Sequence, residues 1–154
     1  MMYSNIYTQN SISTKQNNKI TKKQRDTLKQ ANSLESSNLI EEAISAYLDI
    51  LNKYPNLKEA YKPLKNIYIR NKDWDNLIQI SNEYLIANNN SNISKLEVFD
   101  AYLITNHSKW ENIINDFYNN NSMNLSHMKK ILSILFLNNK KNIAIDWVKQ
   151  IRNK

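Results

Sequence analysis

Apolar residues recur at every third or fourth position in several separate stretches of the 154-residue chain. In the clearest stretch, between Ile40 and Tyr54, both aliphatic and aromatic side chains follow this spacing. Because an α-helix has 3.6 residues per turn, such positions share one face, and the pattern predicts an amphipathic helix. Glu41 and Glu42 fall in its first turn, where the helix dipole favours acidic side chains. Three further helices of this kind are predicted around Leu77–Ile78, Ile113–Ile114 and Ala144–Ile145.

Another apolar stretch precedes each of these four helices. The four stretches contain Leu28, Ala31 and Leu34; Tyr61, Leu64, Ile67 and Tyr68; Leu96, Phe99, Tyr102 and Leu103; and Met128, Ile131, Leu132 and Leu135. Each stretch and the helix after it form a pair. In the second helix of each pair, equivalent residues recur at steps of 34, 36 and 31, from Ala43–Ile44 to Leu77–Ile78, Ile113–Ile114 and Ala144–Ile145. Eight helices in four antiparallel pairs with this period predict an all-α fold, a short α-solenoid in which each pair packs on its neighbours.

The periodic region is predicted to form one domain over residues 22–154, with units at about 24–57, 58–91, 92–124 and 125–154. Residues 1–21 lack the periodicity and are predicted to form a flexible basic tail. Residues 1–25 hold five of the 21 basic residues and none of the 14 acidic ones. Such a segment also suits a targeting leader or a binding arm. A cytoplasmic location is expected, with a mitochondrion or plastid as the alternative.

Glycine is absent and only two prolines occur, which disfavours strand-rich folds because their turns depend on these residues. The absence of glycine excludes glycine-rich phosphate loops, and the absence of cysteine excludes disulfides, thiolate catalysis and cysteine zinc sites. After glycine, asparagine is the residue that most often adopts the left-handed conformation at the end of a helix. The candidates for such turns are Asn38, Asn71, Asn106, Asn138 and Asn139. Pro63 is expected to delay the start of its helix or to kink it.

The segment from Leu28 to Pro55 resembles a tetratricopeptide repeat. The residues that carry the resemblance are Ala31, Leu34, Ala43, Tyr47 and Pro55, each at a place where the family favours that kind of side chain. The resemblance covers about residues 24–154 and implies a right-handed superhelix of stacked helix pairs. Lys65 and Leu132 depart from it, because they stand where close helix packing favours a small residue.

Tetratricopeptide-like domains bind peptides on the concave surface lined by the first helix of each pair. The resemblance therefore implies a protein–protein interaction module, acting as an adaptor, a scaffold or a small subunit of a larger assembly. The candidate partner-binding residues on these helices are Arg25, Lys29, Asn32, Lys62, Asn66 and Arg70. Lys62 and Asn66 have the spacing of the carboxylate clamp by which some members of the family bind a terminal carboxylate. The next unit would continue such a clamp with Asn and basic residues, but it has Ile93 and Glu97, which disfavours a true clamp. We expect a weakly basic groove that suits an acidic or polar segment of a protein or peptide.

The alternative is a pentatricopeptide-like array that binds single-stranded RNA. The net charge of +7 favours RNA binding. The tetratricopeptide type is favoured by Ala43, Tyr47 and Pro55 and by the nearly neutral charge of residues 26–154. No enzyme activity, metal or cofactor is expected, because His107 and His127 have no evident third ligand and no nucleophile motif is visible. No apolar run has the length of a membrane span.

Three tryptophans, Trp74, Trp110 and Trp147, fall on second helices and are expected in the core. Trp74 and Trp110 stand at equivalent places, where they are expected to lock each pair to its neighbour. Repeat arrays need a polar outer face at their ends. Trp147, Val148 and Ile151 are therefore expected to form an uncapped apolar edge near the C-terminus, a candidate docking surface for a partner or for self-association.

Overall fold

The structure is a computed structural model that describes residues 20–119 and 124–152. Within these residues the chain consists of eight α-helices and contains no strand. The helices are α1 (Lys22–Ser36), α2 (Ile40–Lys53), α3 (Lys58–Asn71), α4 (Trp74–Ala87), α5 (Asn92–Ile104), α6 (Lys109–Asn119), α7 (Leu125–Leu137) and α8 (Lys141–Arg152). The predicted all-α class is confirmed.

Side-chain caps fix where four of these helices begin. The Thr21 hydroxyl accepts a hydrogen bond from the Gln24 backbone N–H, and the Gln24 side chain accepts one from the Thr21 backbone N–H. The side chains of Asp73, Ser91 and Asn124 likewise accept hydrogen bonds from backbone N–H groups at the starts of α4, α5 and α7. The first N–H groups of a helix have no partner within it, so these caps stabilise the observed starts.

The helices pack in sequence order. Each helix from α1 to α5 packs on the next one, and α7 packs on α5 and α8. The even-numbered helices begin at residues 40, 74, 109 and 141, which are steps of 34, 35 and 32 residues. The architecture is therefore repeat-like as well as helical, in agreement with the period read from the sequence.

Buried tyrosines are a prominent part of the core. The Tyr61 and Tyr84 rings stack with their centroids 4.2 Å apart, and the Tyr61 hydroxyl lies 2.9 Å from that of Ser81. The Tyr102 hydroxyl donates to the Asn82 side chain at 2.8 Å. Burial raises the pKa of Tyr102 to about 12. The hydroxyl groups thus enter the core with polar partners, which removes the cost of an unsatisfied buried donor.

Asparagine takes most of the left-handed positions in the described residues. Asn38, Asn106 and Asn139 have φ values of 60°, 53° and 58°, as predicted. The prediction for Asn71 is wrong, because α3 continues through Asn71 and Lys72 adopts the left-handed conformation at φ 56°. The prediction for Asn138 is also wrong. This residue is the C-cap of α7 with φ −99°, and the chain turns one residue later. Two further left-handed residues are Asn89 and Asn90.

Pro63 lies inside α3 and does not delay its start. The helix begins at Lys58, five residues before the proline. A proline has no N–H to donate to the carbonyl four residues earlier, here that of Glu59, and the first turn of the helix forms without that bond. The expectation of a late start is therefore wrong.

The three tryptophans differ in burial. Trp110 and Trp147 are buried, at 8% and 3% exposure, in agreement with a core role. Trp74 is 39% exposed, so its expected place in the core is wrong. It is the first residue of α4, where the inward-facing stripe of the helix has not yet begun; the first buried residue of α4 is Leu77.

The predicted tail lies almost wholly outside the described residues, which begin at Ile20. Across residues 20–119 and 124–152, the helices are too short or too polar for any of them to cross a lipid bilayer.

Candidate functional site

A buried carboxylate, Glu97 of α5, lies among three lysine side chains. Its Oε1 accepts hydrogen bonds from Lys58 at 2.8 Å and from Lys130 at 2.6 Å. Its Oε2 lies 3.4 Å from the ammonium nitrogen of Lys62. The Glu97 side chain is 6% exposed, whereas the three lysine side chains are between 38% and 49% exposed. The cations therefore face solvent above an anion held in the protein interior.

A second ion pair lies next to the first and is more deeply buried. The Lys65 ammonium group contacts both carboxylate oxygens of Asp100, at 2.8 and 2.7 Å, and donates to the Glu97 backbone carbonyl at 3.1 Å. The Lys65 side chain is 9% exposed. An unpaired ammonium group at this depth would be costly, so Asp100 is the partner that allows Lys65 to be buried.

Helix geometry explains why these groups converge. Lys58, Lys62 and Lys65 are spaced four and three residues apart on α3, which places them on one face of the helix. Glu97 and Asp100 are three residues apart on α5 and share a face in the same way. Ion pairs of Lys58 with Glu97 and of Lys65 with Asp100 join these two faces, and α7 packs on α5 and brings Lys130 to Glu97.

A pocket of about 290 Å³ opens at this meeting point. We call it the Glu97 pocket, after the carboxylate at its centre. Its lining residues come from α3, α5 and α7: Lys62, Lys65, Asn66, Leu96, Glu97, Asp100, Lys130 and Ile134. A volume of this size is at the lower end for small-molecule sites and suits a side-chain head group better than an enclosed cofactor.

The electrostatics of the pocket are governed by Glu97. Burial by itself would raise the pKa of this carboxyl, but hydrogen bonds and charges from Lys130 and Lys58 outweigh burial and lower the pKa to about 2. Glu97 is therefore ionised at neutral pH. Counting Lys58 with the lining residues, four ammonium groups face two carboxylates, Glu97 and Asp100. The cluster carries an excess of positive charge.

The structure brings together two of the six residues expected to bind a partner. Lys62 and Asn66 both line the Glu97 pocket. Arg70 lies further along α3 and pairs with Glu35 of α1 at 2.9 Å. The Asn32 side chain of α1 accepts a hydrogen bond of 2.6 Å from the Tyr47 hydroxyl, which gives it a structural contact.

Arg25 and Lys29 complete the expected set. Both are exposed on α1, and neither lines the Glu97 pocket. The expected groove residues are thus divided between the pocket, which Lys62 and Asn66 line, and a separate part of the surface formed by α1 and by Arg70 of α3.

The expected C-terminal edge is only partly accessible. Trp147 is buried at 3% exposure, and Val148 and Ile151 are half-buried. The most exposed apolar side chain among the described residues is Leu137, at 80%, near the end of α7. Trp147 therefore stabilises the packing of α8 and does not present its ring to a partner in this conformation.

The two histidines lie in different local surroundings. The His107 ring nitrogen Nδ1 accepts a hydrogen bond from the Lys109 backbone N–H at 3.2 Å, and the His127 ring packs near Phe117. In the part of the chain that the structure describes, no three His, Asp or Glu side chains converge as a metal site requires.

Several members of the site were not assigned to it from the sequence. These are Lys58, Lys65, Glu97, Asp100 and Lys130. One signal was visible: Lys65 occupies the place where the repeat favours a small residue. A charged residue at a packing position requires a counter-charge in the facing helix, and Asp100 provides it. The role of Glu97 depends on contacts between three helices that are distant in sequence.

Comparison with models of protein families gives no match to this chain. Comparison with curated proteins gives no significant match either.

Proposed function

We propose that this chain is a protein–protein interaction module that binds an acidic segment of a partner protein in the Glu97 pocket. In this proposal the eight helices form four tetratricopeptide-like pairs in a short right-handed superhelix, and the pocket lies on the concave surface lined by α1, α3, α5 and α7. The chain acts as an adaptor, a scaffold or a small subunit of a larger assembly. The observation that carries the proposal is the open pocket, in which three lining lysines outnumber two carboxylates and two of the lysines, Lys62 and Lys130, are half-exposed.

Helix packing supports the position of this surface. Ion pairs join α1 to α3 through Glu35 and Arg70, and α3 to α5 through Asp100 and Lys65. Another joins α5 to α7, between Glu97 and Lys130. Each odd-numbered helix is therefore joined by an ion pair to the next odd-numbered helix, which supports a place for these helices on one side of the molecule. An extended segment lying on that side would cross several helices and meet the pocket.

Charge complementarity supports an acidic occupant. The pocket has a positive excess, and its Lys62 and Lys130 side chains are 49% and 40% exposed. Carboxylate-bearing side chains of a partner would approach these ammonium groups with favourable electrostatics, which increase the rate of association and help to select the partner. The apolar side chains of Leu96 and Ile134 in the same lining provide contact area for neighbouring parts of the segment.

Affinity capture of the tagged full chain from an extract of its own cells tests the proposal. Wild type is compared with Lys62→Glu, which reverses a charge in the pocket, and with Lys141→Glu, which makes the same charge change at the start of α8. An acidic residue is favourable at a helix start, so the control should fold normally. Each capture is performed with and without nuclease.

We expect a protein recovered in near-equal amount with wild type and Lys141→Glu, lost with Lys62→Glu and insensitive to nuclease. A partner retained equally by Lys62→Glu would show that binding does not use the pocket. Recovery that depends on intact RNA would favour a pentatricopeptide-like function.

A further inference from the structure

The Glu97 pocket has more hydrogen-bond donors than its own acceptors use. A lysine ammonium group has three N–H donors. Lys130 donates one of them to Glu97, and Lys62 makes an ion pair with Glu97 at 3.4 Å without a hydrogen bond among the described residues. Asn66 is exposed in the lining, and its amide makes no side-chain hydrogen bond within residues 20–119 and 124–152. These three side chains can therefore donate to a ligand.

The buried carboxylate orders two of these donors, Lys62 and Lys130. Glu97 is 5% exposed as a whole residue, and its hydrogen bonds to Lys58 and Lys130 direct two ammonium groups toward one point. Flexible lysine side chains lose entropy when they bind a ligand. Part of that loss has already occurred here, because Glu97 orders the side chains in the free protein. A ligand would meet a partly preorganised site.

The charge and the donors together indicate the kind of acceptor. With Lys58 included, the four ammonium groups exceed the two carboxylates by two positive charges. A phosphomonoester carries about −1.5 to −2 charges at neutral pH and presents three acceptor oxygens. A side-chain carboxylate carries one charge and two oxygens. The phosphomonoester therefore matches both the charge excess and the number of donors more closely.

We infer that the Glu97 pocket binds the phosphoryl group of a phosphorylated serine or threonine in a partner protein. Lys62, Asn66 and Lys130 donate to its oxygens. Leu96 and Ile134 contact the apolar side chains next to the phosphorylated residue. This inference rests on the proposed function and specifies the ligand class of that same pocket. Phosphorylation of the partner would then switch the interaction on.

Degenerate peptide libraries with one fixed central residue test the inference. Three immobilised sets carry phosphoserine, glutamate or serine at that position and are otherwise identical in composition. The tagged full chain is passed over each set, and over immobilised single-stranded RNA of mixed sequence. We expect retention on the phosphoserine set to exceed retention on the glutamate set by about tenfold, as one additional favourable charge contact would give, with none on the serine set.

The outcomes separate this inference from the proposed function. Equal retention on the phosphoserine and glutamate sets would overturn the phosphoryl preference and leave the acidic-segment proposal standing. No retention on either set would overturn both. Retention on RNA equal to that on the phosphoserine set would also overturn the inference, because a phosphodiester would then be sufficient.

Variants of the chain test whether phosphopeptide binding takes place in the pocket. Lys62→Gln removes a charge while Glu97 keeps Lys58 and Lys130. Asn66→Asp places a negative charge in the lining, at a residue whose side chain makes no hydrogen bond within the described ranges. Lys141→Gln is the matched control outside the pocket. We expect both pocket variants to lower phosphopeptide affinity by about tenfold or more and the control to leave it unchanged. Pocket variants that fold like wild type by circular dichroism and bind equally well would overturn the inference.

Discussion

The Lys130 ammonium group lies 2.6 Å from Oε1 of Glu97, and this hydrogen bond joins α7 to α5. The same oxygen accepts a hydrogen bond from Lys58 of α3. One buried carboxylate of α5 thus connects α3 and α7 to its own helix. Hydrogen bonds between ionised groups are stronger than neutral ones, but burying the carboxylate has a desolvation cost that they must offset.

Replacement of Glu97 by glutamine is expected to destabilise the fold. The amide keeps the shape of the side chain but leaves three ammonium groups without their shared anion. Because those lysines are partly exposed and can be rehydrated, we expect a loss of about 2–3 kcal/mol, below the range for a fully buried pair. Urea unfolding followed by circular dichroism measures the loss. The control is Asp146→Asn, which breaks the exposed pair with Lys149 and should change stability by less than about 0.5 kcal/mol. Equal effects of the two variants would contradict the structural role of Glu97.

Acid should weaken the fold through the same carboxyl group. The pKa of Glu97 is about 2 in the folded chain, below its ordinary value of 4.5. Since the folded pKa is the lower one, the stabilisation is present above pH 4.5 and is lost as the pH falls toward 2. Urea midpoints measured between these pH values should fall more steeply for wild type than for Glu97→Gln. Parallel pH profiles of the two proteins would show that the folded pKa of Glu97 is not depressed.

The Lys65–Asp100 pair should be replaceable by apolar residues only when both partners change. Asp100→Leu leaves the buried Lys65 ammonium group unpaired and should cost about 3 kcal/mol. The double variant Lys65→Met with Asp100→Leu removes both charges and should fall within about 1 kcal/mol of wild type. A double-mutant cycle with urea unfolding gives the coupling between the two sites. Additive effects would mean that the pair contributes no coupling.

The turn after α3 offers a stabilising substitution. Lys72 has a φ of 56°, a conformation that is unfavourable for a residue with a Cβ and free of that strain for glycine. Lys72→Gly should stabilise the fold by about 0.5–1 kcal/mol. The matched control is Asn71→Gly at the last residue of the helix, which should destabilise the fold by about 0.3 kcal/mol, because asparagine is itself a weak helix former. Thermal unfolding distinguishes them, and a destabilising Lys72→Gly would contradict the left-handed assignment.

The helices could be read from the sequence because their apolar spacing is a local property. The apolar spacing around Ala43 and Tyr47 predicts their helix without any knowledge of the helices that pack against it. Both residues are fully buried in α2. Local turn chemistry was less reliable, since a shift of one residue moves the left-handed position from Asn71 to Lys72. Trp74 shows another limit: an aromatic residue at the first position of a helix lies outside its inward stripe.

The site was only partly readable for a different physical reason. Lys62 and Asn66 could be selected because both lie on the polar face of one helix. The contact of Glu97 with Lys58 and Lys130 depends on how α3, α5 and α7 are placed relative to one another. That placement is set by packing between residues more than 30 positions apart in sequence. A single sequence contains no direct signal for such a contact.

Site-specific photocrosslinking tests most directly whether a protein occupies the Glu97 pocket. The photoreactive residue p-benzoylphenylalanine replaces Ile134, an apolar, half-buried lining residue that is not a donor, and, in a control chain, Asn52 on α2, which contributes no lining residue. Both chains are irradiated in their own cell extract, with and without nuclease. A partner bound in the pocket predicts one protein crosslinked at position 134, absent at position 52 and insensitive to nuclease. Crosslinking at position 134 to RNA alone, or to the same proteins with equal yield at both positions, would contradict a protein-binding role for the pocket.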